Sequence, residues 1–485
     1  MTTLPSISIP TKQLIGGAWV DASTGGTWDV INPATEEVLR TVPFGGKQDA
    51  VDAIEAAEAA LREWSGKSPY ERGDVLKRAA ALMRARIDEL ARVTVMESGK
   101  PFIEAKGEWK VATDFFEWFA EEGKRAYGRT IPSRVPSKRM LTIKQPVGVV
   151  GVITAWNFPA YNIARSWSAA LAAGCTVVGR PSEFTPLTAM AMAAILIESG
   201  VPKGALNVIN GEPEAMGQAM LDHPACKKIS FTGSVRVGRI LMDGASRTFT
   251  RLSLELGGNA PVLVFPDVDV NAVAKAAAQA RYRNAGQVCV APQRFLVHAK
   301  IHDEFTEKLV PHVAALKVGS GLEPDTRVGP LINMRQRDRL EGLVEDAQKK
   351  GASVLAGGRR PPHLSAGYYY EPTVIGGVRP EMAVSSEEIF GPILPVATWD
   401  DIDEAIAHAN STPYGLAAYV WTNDLRAAVR AYEGLDFGMV AVNDWAPHAT
   451  EAPFGGRKQS GIGREGGQEG LDEYLEVKLV SLGGI

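Results

Sequence analysis

Two residues in the sequence could carry nucleophilic and acid–base chemistry. Cys289 ends the polar segment GQVC at 286–289, whereas Cys175 lies in the apolar run ALAAGCTVV. A thiol in polar surroundings is the better candidate nucleophile, although a single cysteine is more often a buried structural residue. Glu255 follows a predicted strand and precedes two glycines. A carboxylate at such a strand end could act as a base in a cleft or could be an ordinary surface residue.

A further segment could bind a phosphate group. The sequence FTGS at 231–234 ends one predicted strand and begins a predicted helix, whose free N–H groups can bind an anion. A plain strand-to-helix turn explains this pattern equally well. The only G-x-G-x-x-G lies at Gly461, Gly463 and Gly466. Because it is followed by what we interpret as only a turn and a strand, we do not expect it to bind phosphate.

Strands and helices in alternation must position these residues. The regions that favour strands are 147–154, 175–179, 206–209, 227–232, 251–256 and 261–265. Ala-rich amphipathic runs separate them, including one that should begin at Pro186 with Thr185 as its cap. A second alternating stretch covers about 269–445. This pattern predicts parallel βαβ sheets with helices on both faces.

The earlier part of the chain should be helical. A first helix should begin at Asp49 as its cap and run through Trp64, and a second should run from Glu71 to Ser98 and stop at Gly99. Residues 129–139 are rich in Arg, Ser and Pro. We interpret them as a linker or an excursion from the main body.

Composition excludes several classes of protein. The 485 residues carry 52 Lys and Arg against 56 Asp and Glu, so a net charge of −4 gives no basic surface for nucleic acid. The N-terminal segment MTTLPSISIPTK has no signal-peptide pattern, and the apolar run at 187–197 is too short to span a membrane. We therefore expect no nucleic-acid or membrane partner.

The cysteines and histidines predict no metal site. Three cysteines without a C-x-x-C pattern disfavour both a disulfide framework and a thiolate zinc site. His298 and His302 lie four apart, but the intervening residues Ala-Lys-Ile make a core or surface pair the better interpretation. Few cysteines fit a reducing compartment, and we expect a cytoplasmic protein.

Across nearly its whole length the sequence resembles the NAD(P)-dependent aldehyde dehydrogenases. The motifs that carry the resemblance occur in order and with fitting spacing: TAWNFP (154–159), RPSE (180–183), FTGS (231–234), ELGGN (255–259), GQVC (286–289), EEIFGP (387–392) and PFGG (453–456). The segments RNAGQ (283–287) and GIGREG (461–466) are most similar to the succinic-semialdehyde and α-ketoglutaric-semialdehyde branch.

The resemblance implies covalent catalysis by a cysteine. Cys289 would attack the aldehyde to give a thiohemiacetal, whose oxyanion would be bound by the Asn157 amide and the Cys289 N–H. Hydride transfer to the nicotinamide would leave a thioester, and Glu255 would activate the water that hydrolyses it. Glu465 matches a carboxylate sometimes assigned to proton relay, and a salt bridge with Arg464 or a neighbour is an equal alternative.

The resemblance also implies a cofactor site. Glu183 would bind the adenine ribose and favour NAD, whereas Arg180, where the family usually has lysine, could also tolerate the 2′-phosphate of NADP. The residues that match cofactor contacts are Ile153, Thr154, Ala155, Trp156, Asn157, Arg180, Ser182, Glu183, Gly211, Phe231, Thr232, Gly233, Ser234, Val237, Leu256, Gly257, Glu388 and Phe390.

Four residues match the substrate-binding positions. Arg165 and Arg283 match two arginines that hold the distal carboxylate in semialdehyde dehydrogenases, with a structural ion pair as the alternative. The serine that precedes PFGG in the succinic-semialdehyde branch is absent from WAPHAT (445–450). Trp445 and His448 in that segment indicate a different aldehyde, longer or aromatic.

The resemblance implies an α/β protein in three parts. These are a Rossmann-like, parallel-sheet NAD-binding domain at 1–127 and 146–254, an α/β catalytic domain at 255–453, and a small β oligomerisation segment at 128–145 and 454–485. A homodimer or homotetramer is expected. The alternatives are the same chemistry on an aromatic or aliphatic aldehyde, a CoA-acylating aldehyde dehydrogenase, a cysteine hydrolase and a catalytically silent relative.

Overall fold

A computed structural model of the chain describes residues 9–484. The predicted absence of a secretory signal concerns residues 1–12, and of these 1–8 lie outside the described residues. Within residues 9–484, no helix is long and apolar enough to cross a membrane.

The strands, in chain order, are β1 (Gln13–Ile15), β2 (Ala18–Val20), β3 (Thr27–Ile31), β4 (Val38–Pro43), β5 (Thr130–Ile131), β6 (Lys138–Pro146), β7 (Val149–Ile153), β8 (Thr176–Arg180), β9 (Leu206–Val208), β10 (Cys226–Thr232), β11 (Arg251–Glu255), β12 (Ala260–Val264), β13 (Pro292–His298), β14 (Ser353–Ala356), β15 (Thr373–Gly376), β16 (Ile393–Trp399), β17 (Ala417–Trp421), β18 (Met439–Val442), β19 (Gly461–Ile462) and β20 (Leu475–Gly483).

The α-helices are α1 (Lys47–Gly66), α2 (Pro69–Ala85), α3 (Ile87–Ser98), α4 (Phe102–Glu122), α5 (Pro159–Ala173), α6 (Pro186–Glu198), α7 (Pro213–Asp222), α8 (Val235–Thr248), α9 (Val270–Arg281), α10 (His302–Ala314), α11 (Met334–Lys349), α12 (Ala383–Ser386), α13 (Ile402–Asn410), α14 (Leu425–Gly434) and α15 (Gly467–Asp472).

The first sheet has eight strands in the order β19-β11-β10-β7-β8-β9-β1-β2. Strands β7 to β11 pair in parallel, while β1, β2 and β19 add antiparallel edges. Apolar side chains of α1, α7 and α8 cover one face, and those of α2 to α6 cover the other. Because both faces are buried, the central strands are Val-rich rather than alternating, as the sequence indicates.

The second sheet has seven strands in the order β14-β15-β16-β13-β12-β17-β18, and all pairs except β14–β15 are parallel. Helices α9, α10 and α11 pack on one face and α13 and α14 on the other. The predicted alternation of strands and helices at 269–445 is therefore confirmed.

Two small sheets complete the described chain. Strands β20, β6 and β5 form an antiparallel sheet in that order, and β3 pairs with β4. The prediction of a linker at 129–139 was wrong in part, because β5 and the start of β6 lie there and β20 pairs with β6 along nine residues. The domain boundaries remain a prediction.

The prediction that the chain begins with a helix was wrong. Strands β1 to β4 precede α1, and β1 and β2 form a hairpin through Gly16 and Gly17, whose φ angles are 60° and 82°. Two glycines between short apolar runs favour such a left-handed turn. Helix α1 is capped by Gly46 rather than Asp49, whose carboxylate lies in the first turn and accepts the Gly46 N–H (3.0 Å).

The predicted helix from Glu71 to Ser98 is two helices. The chain leaves helical geometry at Arg86, with φ −108° and ψ 14°, and α3 then ends at Gly99, which has a φ of 80° as predicted. Helix α6 begins at Pro186 as predicted. Its N-terminal N–H groups, however, donate to the Glu97 carboxylate and not to Thr185.

The segment that follows the C-terminal glycine motif differs in one respect from the predicted turn and strand. Gly461 lies in β19, antiparallel to β11, and Gly466 precedes the six-residue helix α15 before the strand β20. A short helix thus replaces the predicted turn.

Candidate active site

A cavity of about 810 Å³ lies where the carboxyl ends of β7, β10 and β11 meet the loop that precedes β13. The residues of the predicted site that line it are Ala155, Trp156, Asn157, Arg165, Thr232, Gly233, Ser234, Glu255, Leu256, Gly257, Arg283, Cys289, Glu388, Phe390 and His448. The other predicted residues do not line it: Ile153, Thr154, Arg180, Ser182, Glu183, Gly211, Phe231, Val237, Trp445 and Glu465.

The loop that presents Cys289 has an unusual backbone. Asn284, Ala285 and Gly286 have φ angles of 50°, 53° and 72°, so three consecutive residues are left-handed. The N–H of Gln287 donates to the Asn284 carbonyl (3.0 Å), which closes the turn. Burial raises the pKa of Cys289 to about 12, and Arg165 only partly opposes this. At pH 7 the thiol is therefore protonated until a base removes its proton.

Glu255 ends β11 inside the cavity. Its carbonyl accepts the Gly233 N–H (2.9 Å), while Oε2 of its carboxylate has no hydrogen-bond partner within the described chain. Burial raises the pKa of Glu255 well above the usual range of a carboxylate, with Arg165 opposing. A carboxylate with a raised pKa is better matched to general-base work near neutral pH.

Asn157 lies on the segment between β7 and α5. Its Nδ2 donates to the Gln287 carbonyl (3.1 Å), and its Oδ1 accepts from Asn162 (3.4 Å). An amide nitrogen carries two hydrogens, so one remains for a ligand in the cavity. The bond to Gln287 also ties Asn157 to the loop that carries Cys289.

Arg165 is buried on α5 and forms an ion pair with Glu465. Glu465 also accepts the hydroxyls of Ser166 (2.9 Å) and Ser230 (3.0 Å). Of the two interpretations of Glu465, the structure shows the salt bridge, with Arg165 as its partner rather than Arg464, whose guanidinium donates to backbone carbonyls. The positive charge of Arg165 at the cavity is thus partly compensated.

Arg283, which follows α9, and His448, which follows β18, also line the cavity. Arg283 is exposed, forms no ion pair within residues 9–484, and lies over the Phe158 ring at 5.5 Å. His448 contacts Tyr161 and Phe454 edge to face, each at 5.8 Å. Burial, together with Arg283 and Arg165, lowers the pKa of His448 to about 4, so this imidazole is neutral at pH 7.

Trp445 belongs to an aromatic cluster behind the cavity. Its ring lies 4.8 Å from that of Trp421, 5.5 Å from Tyr419 and 6.1 Å from Phe295. The Tyr419 hydroxyl donates to the Val290 carbonyl. The cluster therefore supports the residues that follow Cys289 and does not form the cavity wall.

The cofactor positions cluster at the carboxyl edge of the first sheet. β7 is followed by β8 on one side and has β10 on the other, so a topological switch point lies between β7 and β10. Ligands of open parallel sheets bind at such points. Ser234 caps α8 there, and its Oγ accepts the Val237 N–H (3.4 Å).

Further along this edge, the Arg180 guanidinium is hydrogen-bonded to neighbouring residues. It donates to Glu183 (2.9 Å) and to the Gly211 carbonyl (2.8 Å), while its Nε has no partner within the described residues. The Thr154 hydroxyl is also buried and unpaired there. Orphaned polar atoms beside a helix N-terminus fit a polar, phosphate-bearing cofactor.

Glu388 and Phe390 lie across the cavity from this edge. The Gly258 N–H donates to the Glu388 carboxylate (2.9 Å), and a Cβ at Gly257 would lie 2.5 Å from the same group. Burial raises the pKa of Glu388 to about 7. The Phe390 ring meets Trp156 edge to face at 5.4 Å.

Sequence reasoning missed several residues at the cavity. Tyr161 and Phe454 flank Arg165 and His448, and Glu104 and Glu108 line the cavity from α4. The spacing of the two glutamates, one helical turn, was visible but matches no chemical motif.

No group of three or more His, Cys, Asp or Glu that could hold a metal occurs within residues 9–484.

A thiol, a buried carboxylate and the carboxyl edge of a parallel sheet meet at one cavity, which is where the active site of an α/β enzyme is expected. Residues 19–480 match the profile described as the aldehyde dehydrogenase family. The chain belongs to the aldehyde dehydrogenase family, and it is an NAD(P)-dependent enzyme with the fold of that family.

Relatives from bacteria match the chain from end to end. It is 44% identical to the glutarate-semialdehyde dehydrogenase of Pseudomonas aeruginosa, covering 98% of each chain. It is also 44% identical to GabD of Escherichia coli strain K12, named as an NADP(+) succinate-semialdehyde dehydrogenase, covering 97% of this chain and 98% of that one. The solved succinate-semialdehyde dehydrogenase of Burkholderia pseudomallei superposes with a TM-score of 0.97 at 44% identity, and all of both chains is covered.

Proposed function

We propose that this enzyme oxidises an aldehyde that carries a distal carboxylate, using Cys289 as the nucleophile. The observation that carries the proposal is the shared cavity, in which the thiol lies together with the unpaired guanidinium of Arg283. Arg283 forms no ion pair within residues 9–484 and interacts only electrostatically with the nearby Glu104, so its exposed guanidinium is a ready binding group for a carboxylate. The names of the relatives, succinate- and glutarate-semialdehyde dehydrogenase, support the same substrate class.

The first step forms a bond between the Cys289 sulfur and the aldehyde carbon. The resting thiol is protonated because the pKa of Cys289 is raised, and its proton leaves to water, or to Glu255, which then releases it to solvent before hydrolysis begins. The carbonyl oxygen becomes an alkoxide, and the free N–H of Asn157 and the Cys289 N–H stabilise its charge. NAD(P), when bound, accepts the hydride that leaves the aldehyde carbon.

The second half of the reaction is hydrolysis of the Cys289 thioester. Glu255 takes a proton from water, the hydroxide adds to the acyl carbon, and the thiolate leaves and is protonated again. The net change consumes one aldehyde, one NAD(P)⁺ and one water, and yields a carboxylate, NAD(P)H and two protons. A buried carboxylate inside the cavity supports hydrolysis over acyl transfer to CoA.

The residues at the sheet edge fit the cofactor. Ser234 at the start of α8 would bind the diphosphate, Glu183 and Arg180 the adenine ribose, and Glu388 and Phe390 the nicotinamide end. Arg180 and Glu183 form an ion pair, so a 2′-phosphate bound beside the adenine ribose would meet both charges. A preference for NAD over NADP remains a prediction.

A comparison of substrates tests this function. NAD(P)H formation should be faster with four- and five-carbon semialdehydes than with hexanal or benzaldehyde, in terms of kcat/KM. Arg283→Ala should raise KM for the semialdehydes about 10- to 100-fold, because this factor corresponds to the free energy lost with one charge-assisted hydrogen bond. Hexanal should hardly be affected, and the exposed Arg62→Ala on α1 is the matched control.

Faster turnover of plain aliphatic or aromatic aldehydes by the wild type would reject the carboxylate proposal and favour a neutral substrate. Release of an acyl-CoA when CoA is added would instead indicate the acylating reaction.

We further propose a cytoplasmic homo-oligomer. Its three cysteines form no disulfide, which fits a reducing compartment. Val477, Leu479 and Leu482 on the edge strand β20 are exposed. Exposed apolar side chains on a strand at the edge of a sheet favour association with a second copy.

A further inference from the structure

A fully buried ion pair lies behind Asn157. Neither of its two residues has a role in the proposed mechanism. Lys100, just after α3, donates to the carboxylate of Glu108 on α4, and both side chains are 0% exposed. The same ammonium donates to the backbone carbonyl of Asn157 (2.7 Å) and lies 4.0 Å from the centre of the Phe158 ring. Three partners therefore fix one cation against residues 157–158.

Glu108 holds the other end of this segment. Its second carboxylate oxygen accepts the backbone N–H groups of Ala160 (2.7 Å) and Tyr161 (3.1 Å), in the first turn of α5. A carboxylate there satisfies N–H groups that have no partner inside the helix. Lys100 and Glu108 together thus tie residues 157–161 to the start of α4.

The loop that carries Cys289 is attached to the same helix. The Asn284 side chain donates to the Asn157 carbonyl (2.9 Å), the same oxygen that Lys100 contacts. The Asn284 N–H donates to Glu104 (2.7 Å), one helical turn before Glu108. The first two turns of α4 therefore bridge the segment of the proposed oxyanion donor and the loop of the nucleophile.

We propose that Lys100 is a positioning residue, which holds the backbone of Asn157 so that its side-chain amide meets the oxyanion formed on Cys289. This inference rests on the proposed role of Asn157. A buried ion pair adds little stability over an apolar pair, so stability alone does not account for this one. Its hydrogen bonds are directed at the carbonyl of Asn157 itself and at the N–H groups of Ala160 and Tyr161 that follow it. A donor displaced by about 1 Å can cost about 100-fold in rate.

A double-mutant cycle between Lys100→Met and Asn157→Ala tests this coupling. The readout is the single-turnover rate of NAD(P)H formation, with the dissociation constant of the cofactor and KM measured alongside. Lys100→Met should slow the single turnover about 10- to 100-fold and leave both binding constants within about twofold. In the Asn157→Ala background, the same substitution should change the rate less than about twofold, because its target is already absent.

Lys106→Met is the matched control. Lys106 lies on α4, as Glu108 does, but its side chain is 43% exposed and pairs with Asp88 on the surface. It should retain the wild-type single-turnover rate. Should Lys100→Met fail to fold, the neutralised pair Lys100→Met with Glu108→Gln removes the bond to Asn157 without leaving a buried charge, and it enters the same cycle.

The possible outcomes separate the inference from the function. A normal rate in a folded Lys100→Met, or in the neutralised pair, overturns the positioning role, as does a loss of equal size in both backgrounds. A normal rate in Asn157→Ala overturns the oxyanion assignment on which the inference rests, and it leaves the nucleophile and the substrate class to their own tests.

Discussion

The sulfur of Cys289 lies in surroundings that oppose its own ionisation, since burial raises its pKa to about 12 and the nearby Glu255 and Glu388 add to the effect. The nucleophile is therefore generated by proton removal during the reaction rather than stored as a thiolate. Replacing the sulfur removes the only group that can hold the acyl intermediate.

We accordingly expect Cys289→Ala to lower kcat at least about 1000-fold, which is the scale of lost covalent catalysis. Cofactor binding should stay within about twofold, because the proposed cofactor residues lie on other elements. Steady-state assays and fluorescence titration measure the two effects. Cys175→Ala, a buried cysteine away from the cavity, is the control. Turnover above a thousandth of wild type in Cys289→Ala would remove Cys289 from this role.

Glu255 should separate the two halves of the reaction. Glu255→Gln keeps the shape of the side chain but cannot take a proton from water, so hydrolysis should slow far more than hydride transfer. A burst of NAD(P)H of about one equivalent per active site should precede slow turnover. Full steady-state activity without a burst would show that another base hydrolyses the thioester.

The pH dependence follows from the same carboxylate. Its folded pKa is raised, so it is protonated and inactive as a base at low pH and becomes ionised as the pH increases. The rate of hydrolysis in the wild type should therefore increase with pH through that raised pKa. In Glu255→Gln the remaining slow turnover should lose this dependence.

At the scale of the elements, the sequence predicted those strands and helices whose signal lies in their own residues. The strands β7, β8, β9, β10, β11 and β12 were predicted from short apolar runs, of which those in β7, β8 and β12 are Val-rich as expected for strands buried on both faces. The break at Arg86 between α2 and α3 was missed because the apolar pattern continues across it. The hairpin at Gly16 and Gly17 was missed although its glycine signal was present.

The site was predictable only where a motif matches the family. Cys289, Glu255 and Asn157 lie at one cavity as the resemblance implied. The role of Lys100 could not be predicted, because its partner Asn157 is 57 positions away and its ion pair with Glu108 belongs to no recognisable motif. Arg165 was assigned to the substrate with a structural ion pair as the alternative, but no local pattern could show that its partner would be Glu465, 300 residues away.

The left-handed turn before Cys289 supports a prediction about stability. Ala285 has a φ of 53°, a conformation that costs a non-glycine residue about 1 kcal/mol or more. Ala285→Gly relieves this strain while losing one buried methyl group, so unfolding free energy should stay within about 1 kcal/mol of wild type. Ala278→Gly in α9 loses a buried methyl group and helix propensity together, and should cost about 2 kcal/mol. Urea denaturation distinguishes them, and equal losses would refute the strain argument.

At the scale of the whole molecule, the sheet of β5, β6 and β20 lies apart from the proposed site and contributes none of the cavity residues. This sheet has β20 as an unpaired edge, nine residues long. Val477 and Leu479, two positions apart on one face, are 62% and 56% exposed. An edge of this length and character is normally covered, and a second copy of the chain is the occupant that we expect.

Light scattering after size-exclusion chromatography should therefore show a wild-type dimer or tetramer. Val477→Lys with Leu479→Lys places two like charges on this face and should shift the protein to a smaller species with a lower Tm. Leu425→Lys on α14, where an apolar side chain is 78% exposed, is the control and should leave the mass unchanged. Because the sheet of β5, β6 and β20 contributes none of the cavity residues, the dissociated protein should still bind cofactor and turn over substrate. An unchanged mass in the double variant would show that β20 does not form the interface.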